Sequence, residues 1–142
     1  MSKIIAMIFA ILAGASTTLE AFINGQLEEN TTALVATFIS LVVGAIFFLI
    51  SILVAGDFKH ISNIGNINPK LFLGGIFGGL IIYFTIKSIG VLGISNTLIL
   101  VVVSQILLGF YIDSVILGKI TMHLYKYIGI VLLLIGTFFI MN

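Results

Sequence analysis

Residues 4–27 read IIAMIFAILAGASTTLEAFINGQL, an apolar stretch that contains one carboxylate, Glu20. The stretch exceeds the roughly 20 residues that an α-helix needs to cross the hydrocarbon core of a bilayer. A charged side chain at the centre of such a helix costs about 2.5–3.5 kcal/mol on insertion scales, so it usually marks a functional site. The stretch therefore predicts a membrane protein and makes Glu20 the first candidate site residue.

The composition of the whole chain points the same way. Hydrophobic residues make up 61% of the 142 residues, charged residues 8%, and the mean hydropathy is +1.35, whereas soluble domains are about half apolar and a quarter charged. The absence of Cys excludes a disulfide framework and a thiolate metal site. A net charge of +1 with scattered basic residues gives no case for nucleic-acid binding. All basic residues are Lys, which favours an AT-rich bacterial genome as the source.

Four further apolar stretches follow the first, and polar turns separate them. We expect one five-helix transmembrane domain over residues 1–142, with spans at about residues 4–27, 32–55, 69–89, 95–117 and 125–141. Asn30 or Thr31 is expected to cap the second span, and Asn68 followed by Pro69 to begin the third. Length and low charge favour a bilayer over a large soluble core, and no alternating pattern supports a barrel. The predicted fold class is all-α and polytopic.

Two features bear on how the chain is inserted. Residues 3–15 have the charged start and apolar run of a signal peptide, but the apolar character continues to Ile23 and favours a first spanning helix. Five spans place most of the lysines on one side, with Lys87, Glu28 and Glu29 on the other. The positive-inside rule then predicts a cytoplasmic N-terminus and an outer C-terminus in a bacterial inner membrane.

Polar and small residues recur at helical spacing within the spans. In the first span, Thr17, Glu20 and Asn24 share a face that should point into the bundle, because lipid does not solvate it. Gln105 in the fourth span either bonds a neighbouring helix or contacts a substrate. Glycines in three spans are expected to let helices pack closely, and those of the third also leave room for a substrate beside Tyr83; the packing candidates are Gly44, Gly75, Gly79, Gly129 and Gly136.

Lys87 leaves two alternatives for Glu20. Counted from the starts of their spans, the two residues lie at a similar depth of roughly 24 Å, so an ion pair would form if their helices are adjacent. Alternatively, Lys87 extends to the outer interface and Glu20 remains among apolar neighbours. Such surroundings disfavour the charged form of a carboxyl group, which suits proton coupling.

The sequence carries no enzyme signature, since it lacks a nucleophile–base motif, a His-x-x-x-His pair and a phosphate-binding loop. We therefore expect neither an enzyme nor a cofactor. His60 and His123 fall in two polar connectors on the same side; they are a conceivable metal pair, but solvated loop residues are the favoured interpretation, and no metal is expected.

Four segments of the chain carry a family resemblance: TLEAFINGQLEENTTALVATFISLVVGAIFFL (18–49), LFLGGIFGGLIIYFTIKSIGVLGIS (71–95), SQILLGFYIDSVILG (104–118) and YIGIVLLLIGTFFI (127–140). Together they resemble the YdcZ-type inner-membrane exporter family of the drug/metabolite transporter superfamily. The family's first-helix polar position is often Gln, and this chain has Glu20 there. Small multidrug resistance proteins of the same superfamily carry a first-helix Glu that binds protons and cationic substrates in turn. That analogy implies a coupling role for Glu20.

The resemblance and the polar stripe together predict half of a transporter. Five spans are few for a closed alternating-access pathway, so a second copy or a paralogous subunit is expected to supply the other wall. We expect secondary transport, and export in particular, of a small organic solute, coupled to protons through Glu20. Asn24 and Gln105 are expected to line the site and Tyr83 to form an aromatic wall. The alternatives are a small dimeric ion channel and a helper subunit that transports nothing.

Overall fold

The computed structural model describes residues 3–66, 68–118 and 124–141. Five α-helices follow one another in these ranges: α1 (Lys3–Glu29), α2 (Ala33–Ala55), α3 (Leu73–Leu92), α4 (Ile94–Tyr111) and α5 (Leu124–Met141). Two 3₁₀ segments, Asp57–Asn66 and Pro69–Phe72, connect α2 to α3, and a π-helical turn, Ile112–Ile116, continues α4. No strand occurs in the described ranges, which confirms the predicted all-α class.

Each helix, with its short extensions, is long and apolar enough to cross a membrane. The five candidate spans are Lys3–Glu29, Ala33–Ala55, Pro69–Leu92, Ile94–Ile116 and Leu124–Met141. At most 6% of the most apolar window of any span is buried inside the protein. A soluble core is thereby excluded as the reason for the apolar runs, because their large side chains lie on the surface. The polytopic membrane architecture predicted from the sequence is confirmed.

The turn between α1 and α2 differs from the prediction in detail. Thr32 caps α2, and its side-chain oxygen accepts a hydrogen bond from the Val35 amide at 3.3 Å. The expectation of Asn30 or Thr31 as the cap is wrong, because α1 runs on to Glu29 and leaves both residues in the turn. The Thr31 hydroxyl instead donates to the Leu27 carbonyl at 2.6 Å. Glu28 and Glu29 therefore end a helix and do not form a loop.

The predicted start of the third span is confirmed, and its end lies further along the chain. The Asn68 side chain accepts a hydrogen bond from the Lys70 amide at 3.0 Å, with Pro69 at the first helical position. Gly90 does not break α3, which continues to Leu92. Gly93, with a φ of 76°, makes the turn into α4. That backbone conformation strains residues that carry a Cβ, so the turn requires glycine here.

The chain forms two compact units, Met1–Gly90 and Val91–Asn142. In the first unit, Ala33, Ala36 and Ile86 are buried together, and Leu27, Ile82 and Tyr83 pack against them, partly buried. In the second unit α4 packs on α5, and the buried side chains of these two helices are Thr97, Val103 and Thr137. The assignment of residues 1–142 to a single domain stays a prediction.

Candidate functional site

The polar face of α1 opens into a groove within the first unit. Its lining combines α1 residues with α3 residues, and its empty volume is about 260 Å³ when the space open to solvent is included; the residues are Thr17, Glu20, Ala21, Asn24, Ile81, Ile82, Thr85 and Ile86. Residues at steps of three or four share one face of a helix, which explains why Thr17, Glu20 and Asn24 reach the same groove. The α3 wall is apolar apart from Thr85. The groove therefore offers a few polar atoms on an otherwise apolar surface, as small-molecule sites usually do.

The polar groups of α1 differ in how they are held. The Thr17 hydroxyl donates to the Ala13 carbonyl at 3.0 Å, which leaves its oxygen as an acceptor. Asn24 is only 4% exposed, and its Nδ2 donates to Ser40 Oγ on α2 at 3.2 Å. This bond uses a donor of the amide and leaves its carbonyl oxygen as an acceptor. Three helices thus contribute: α1 and α3 line the groove, and α2 fixes the Asn24 side chain.

Glu20 is exposed on the surface of the chain. Within the described ranges no ion pair or hydrogen bond of its carboxylate occurs, and no other titratable side chain lines the groove. The Glu20 carboxylate therefore lies at the edge of a groove whose walls are largely apolar. Its polar neighbours on α1 contribute further acceptor atoms. An ionised carboxylate is itself only an acceptor, so the α1 side of the groove can receive hydrogen bonds or a positive charge.

Lys87 pairs with Glu28 in the described chain, so the Glu20–Lys87 ion pair offered as one alternative is wrong. Its Nζ lies 3.9 Å from Glu28 Oε1, and the side chains are 59% and 23% exposed respectively. Glu28 is two helical turns beyond Glu20, about 12 Å along the axis of α1. Contacts at two glycines set this register of the helices: the Cβ position of Gly25 lies 3.4 Å from Ile89 Cγ2, and that of Gly90 lies 3.9 Å from Glu28 Oε2. Counting residues from the helix starts cannot anticipate such a shift.

Two predicted site residues, Tyr83 and Gln105, are not among the residues that line this groove. Tyr83 packs, partly buried, against the cluster of Ala33, Ala36 and Ile86. Gln105 is exposed on α4, in the second unit. Their roles in binding stay predictions, as do those of Glu20 and Asn24. His123 lies outside the described residues, as does the side chain of His60, and the described part of the chain holds no group of three or more side chains suited to a metal ion.

One of the predicted packing glycines makes a close approach within the described chain. The Cβ position of Gly79 lies 3.3 Å from Leu41 Cδ1, so α3 approaches α2 there. At the other four, no heavy atom outside their own helix backbone lies within 4 Å of the Cβ position; these are Gly44, Gly75, Gly129 and Gly136. Close packing at these four positions stays a prediction.

Thr85 is the polar residue of the groove lining that was not predicted from the sequence. It is half-buried, and its hydroxyl has no hydrogen-bond partner in the described ranges. A signal was present, since Thr85 follows Gly78 by two helical turns and so lies on the glycine-rich face of α3. It is the only residue on the α3 wall able to donate a hydrogen bond from its side chain into the groove.

The second unit has a groove of another character. It lies between α4 and α5, its empty volume is about 690 Å³, and apolar side chains line most of it, with Gly136 and Thr137 at its α5 wall. Elsewhere in this unit, Lys126 Nζ lies 5.7 Å from the centre of the Phe110 ring, within the range of a cation–π contact. Neither feature brings together groups that could perform a chemical step.

The comparisons with known proteins agree with the fold and with the membrane character of the chain. A family model described as "Putative inner membrane exporter, YdcZ" matches residues 5–139. No curated protein matches, and no solved structure matches. The matched range begins in α1 and ends in α5, so it includes all five helices and both walls of the Glu20 groove. The chain belongs to the YdcZ family of inner-membrane exporters.

Proposed function

We propose that this chain is half of a secondary transporter, which pairs with a second copy or a paralogous subunit and exports a small organic solute. The observation that carries the proposal is the Glu20 groove: an exposed carboxylate, inside a candidate span, beside a shallow apolar cavity. Family membership supports export as the direction of transport, since the family is described as an inner-membrane exporter.

The exposure of Glu20 supports the need for a second subunit. A charged side chain facing lipid within a span is costly, and such groups usually face a bundle interior or a water-filled cavity. Covering the α1 face with another subunit would place Glu20 in an interior and turn the open groove into an enclosed site. The uncovered glycines of α2, α3 and α5 supply surfaces on which helices of a partner can approach closely.

The chemistry of the groove favours a solute with an apolar body and a positively charged or hydrogen-donating group. Three residues on the α1 side carry acceptor oxygens, namely Thr17, Glu20 and Asn24, while Thr85 supplies a hydroxyl on the α3 side. An amine would pair with the Glu20 carboxylate, and its carbon chain would lie against Ile81, Ile82 and Ile86. A carboxylate-bearing solute would meet repulsion from Glu20.

Glu20 also provides the proposed coupling. A carboxylate that binds either a proton or a cationic solute, but not both, exchanges one for the other across the membrane. Entry of a proton from the outer side releases the solute there, and loss of the proton inside restores the site. In this scheme the N-terminus is cytoplasmic, as the lysine distribution indicates.

The test uses purified protein and three probes of equal chain length: hexylammonium, hexanol and hexanoate. We expect hexylammonium to raise the thermal unfolding temperature, hexanol to have a smaller effect, and hexanoate to have none. Glu20→Gln should remove the preference for the cation. Glu29→Gln is the matched control, because Glu29 is exposed at the end of α1 and does not line the groove. Equal stabilisation by all three probes would overturn the proposed substrate class.

Transport is tested separately in proteoliposomes. We expect saturable, slow uptake of labelled hexylammonium driven by a pH gradient, and no unitary currents in planar bilayers. Single-channel currents would contradict a carrier and favour the dimeric channel. Binding without flux in any membrane orientation would favour the helper subunit.

A further inference from the structure

Beyond the Glu20 groove, side chains of α1 and α3 face the opposite helix. On α1 the groove ends at Asn24, and the next residue, Gly25, has its Cβ position 3.4 Å from Ile89 Cγ2 of α3. One turn further on, Glu28 Oε2 lies 3.9 Å from the Cβ position of Gly90. Towards the C-terminal ends of α1 and α3, each of these glycines therefore faces a side chain of the other helix, which lies at van der Waals distance from the Cβ position of the glycine.

An ion pair joins the same two helices. Lys87 Nζ lies 3.9 Å from Glu28 Oε1, at the long limit for such a pair, and the Lys87 side chain is 59% exposed. Long, hydrated pairs of this kind contribute little to stability. They form and break readily, since water solvates both partners when they separate.

The other contact of α1 beside the groove is of a different kind. Asn24 is buried and donates a hydrogen bond to Ser40 of α2 at 3.2 Å. Separating α1 from α2 would leave that buried amide without its partner. Separating α1 from α3 at their C-terminal ends breaks a half-exposed ion pair and the apolar packing of Leu27 against the cluster that contains Ile86, and lipid supplies other apolar partners for these side chains. The α1–α3 seam is thus the one that opens most easily.

We infer that Glu28–Lys87 and Gly25–Ile89 form a gate at the end of the Glu20 groove. The gate is closed in this structure, and it opens when the C-terminal end of α3 moves away from α1, which stays joined to α2. Opening connects the groove with the side of the membrane that carries the α1–α2 turn. As a gate for solute, it rests on the proposed role of the groove.

The absence of cysteine from the chain permits a direct accessibility test. Thr85→Cys places one thiol in the groove, and its rate of reaction with a membrane-impermeant maleimide is measured in intact cells and in inverted vesicles. We expect slow labelling from the side of the α1–α2 turn in the parent. Lys87→Met and Glu28→Gln should each raise that rate about fivefold, the change in open population that a half-exposed ion pair can produce. The exchanged pair, Glu28→Lys with Lys87→Glu, should restore the slow rate, and Glu29→Gln should leave it unchanged.

A second arm locks the gate without altering its charges. The distance of 3.4 Å from the Cβ position of Gly25 to Ile89 Cγ2 brings cysteines at these two positions within reach of a disulfide. In the Thr85→Cys background, Gly25→Cys with Ile89→Cys should, after oxidation, reduce labelling below the parent rate, and reduction should restore it.

Both arms are run without solute, so failure of the gate and failure of the proposed function are distinguishable. If the labelling rate changes neither when the ion pair is broken nor when the disulfide forms, the gate is overturned, even if hexylammonium binds normally. Labelling that changes as expected supports the gate, even if none of the probes binds.

Discussion

Asn24 Nδ2 donates a hydrogen bond to Ser40 Oγ at 3.2 Å, and this bond joins α1 to α2 one turn beyond Glu20. Asn24 is 4% exposed, so the bond satisfies a buried polar group inside a span. It fixes the orientation of the Asn24 amide, and Asn24 is part of the groove lining. The candidate site therefore depends on a helix that does not line it.

Removing the hydroxyl of Ser40 should destabilise the first unit. We expect Ser40→Ala to lower the free energy of unfolding by about 0.5–2 kcal/mol, because the buried Asn24 amide loses its partner and a membrane interior offers no water to replace it. Reversible unfolding in mixed detergent micelles measures the change. Ser51→Ala is the control, since the Ser51 hydroxyl bonds the Phe47 carbonyl of its own helix. Equal effects of the two substitutions would contradict a structural role for the Asn24–Ser40 bond.

Substitutions at two glycines of α3 should separate packing within the chain from packing between subunits. The Cβ position of Gly79 is already 3.3 Å from Leu41 Cδ1, so Gly79→Leu should cost about 1–3 kcal/mol of stability through overpacking. Gly75→Leu meets open space in the described chain and should leave the stability of the monomer unchanged within error. The same unfolding assay in monomeric detergent conditions checks both. A comparable loss at Gly75 would show that its surroundings are not open.

Assembly is predicted to depend on the last helix. Gly129 and Gly136 share one face of α5, and neither makes a close contact within the described chain. Gly136→Leu should therefore weaken chemical crosslinking between subunits in native membranes, while Leu134→Ala, at an exposed position of the same helix, should not. The lysine bias favours a parallel homodimer or a pair with an oppositely inserted partner. An active monomer at high dilution would refute the half-transporter proposal.

The orientation in the membrane is predicted from charge alone. Single cysteines at Ser2 and Ser62 should be shielded from an impermeant reagent in intact cells, and one at Asn142 should react, because the lysine-rich side stays in the cytoplasm. Permeabilised cells supply the control for intrinsic reactivity. Similar labelling of both sides in intact cells would indicate dual insertion.

The helices of this protein follow from its sequence because five long, nearly uncharged runs leave a membrane chain no other regular structure. The ends of the helices are harder to predict from the sequence. Glu28 and Glu29 stay helical because the end of a span can project charged residues towards the interface, and Gly93 ends α3 because it adopts a φ of 76° that Gly90 does not need.

The groove was predictable only on its α1 side. The spacing of Thr17, Glu20 and Asn24 puts them on one face, whatever helix lies opposite. Which α3 residues face them depends on the axial register of the two helices, and contacts at Gly25 and Gly90 set it. That register brings Thr85 to the groove and Lys87 to Glu28, and single-helix periodicity contains no information about it.

The most direct test of the central claim is the affinity of purified protein for hexylammonium, measured by calorimetry across a range of pH in three forms: the parent, Glu20→Gln and Lys87→Met. If the Glu20 carboxylate binds either the proton or the cation, parent affinity rises with pH, because deprotonation frees the site while the probe stays charged. Glu20→Gln should bind weakly and show no pH dependence, and Lys87→Met should behave like the parent, since Lys87 pairs with Glu28. Persistence of the pH dependence in Glu20→Gln would contradict the account. The account would also be contradicted if Lys87→Met lowered the affinity as much as Glu20→Gln and the variant with both substitutions recovered it. That pattern would mean that Glu20 and Lys87 act as a pair.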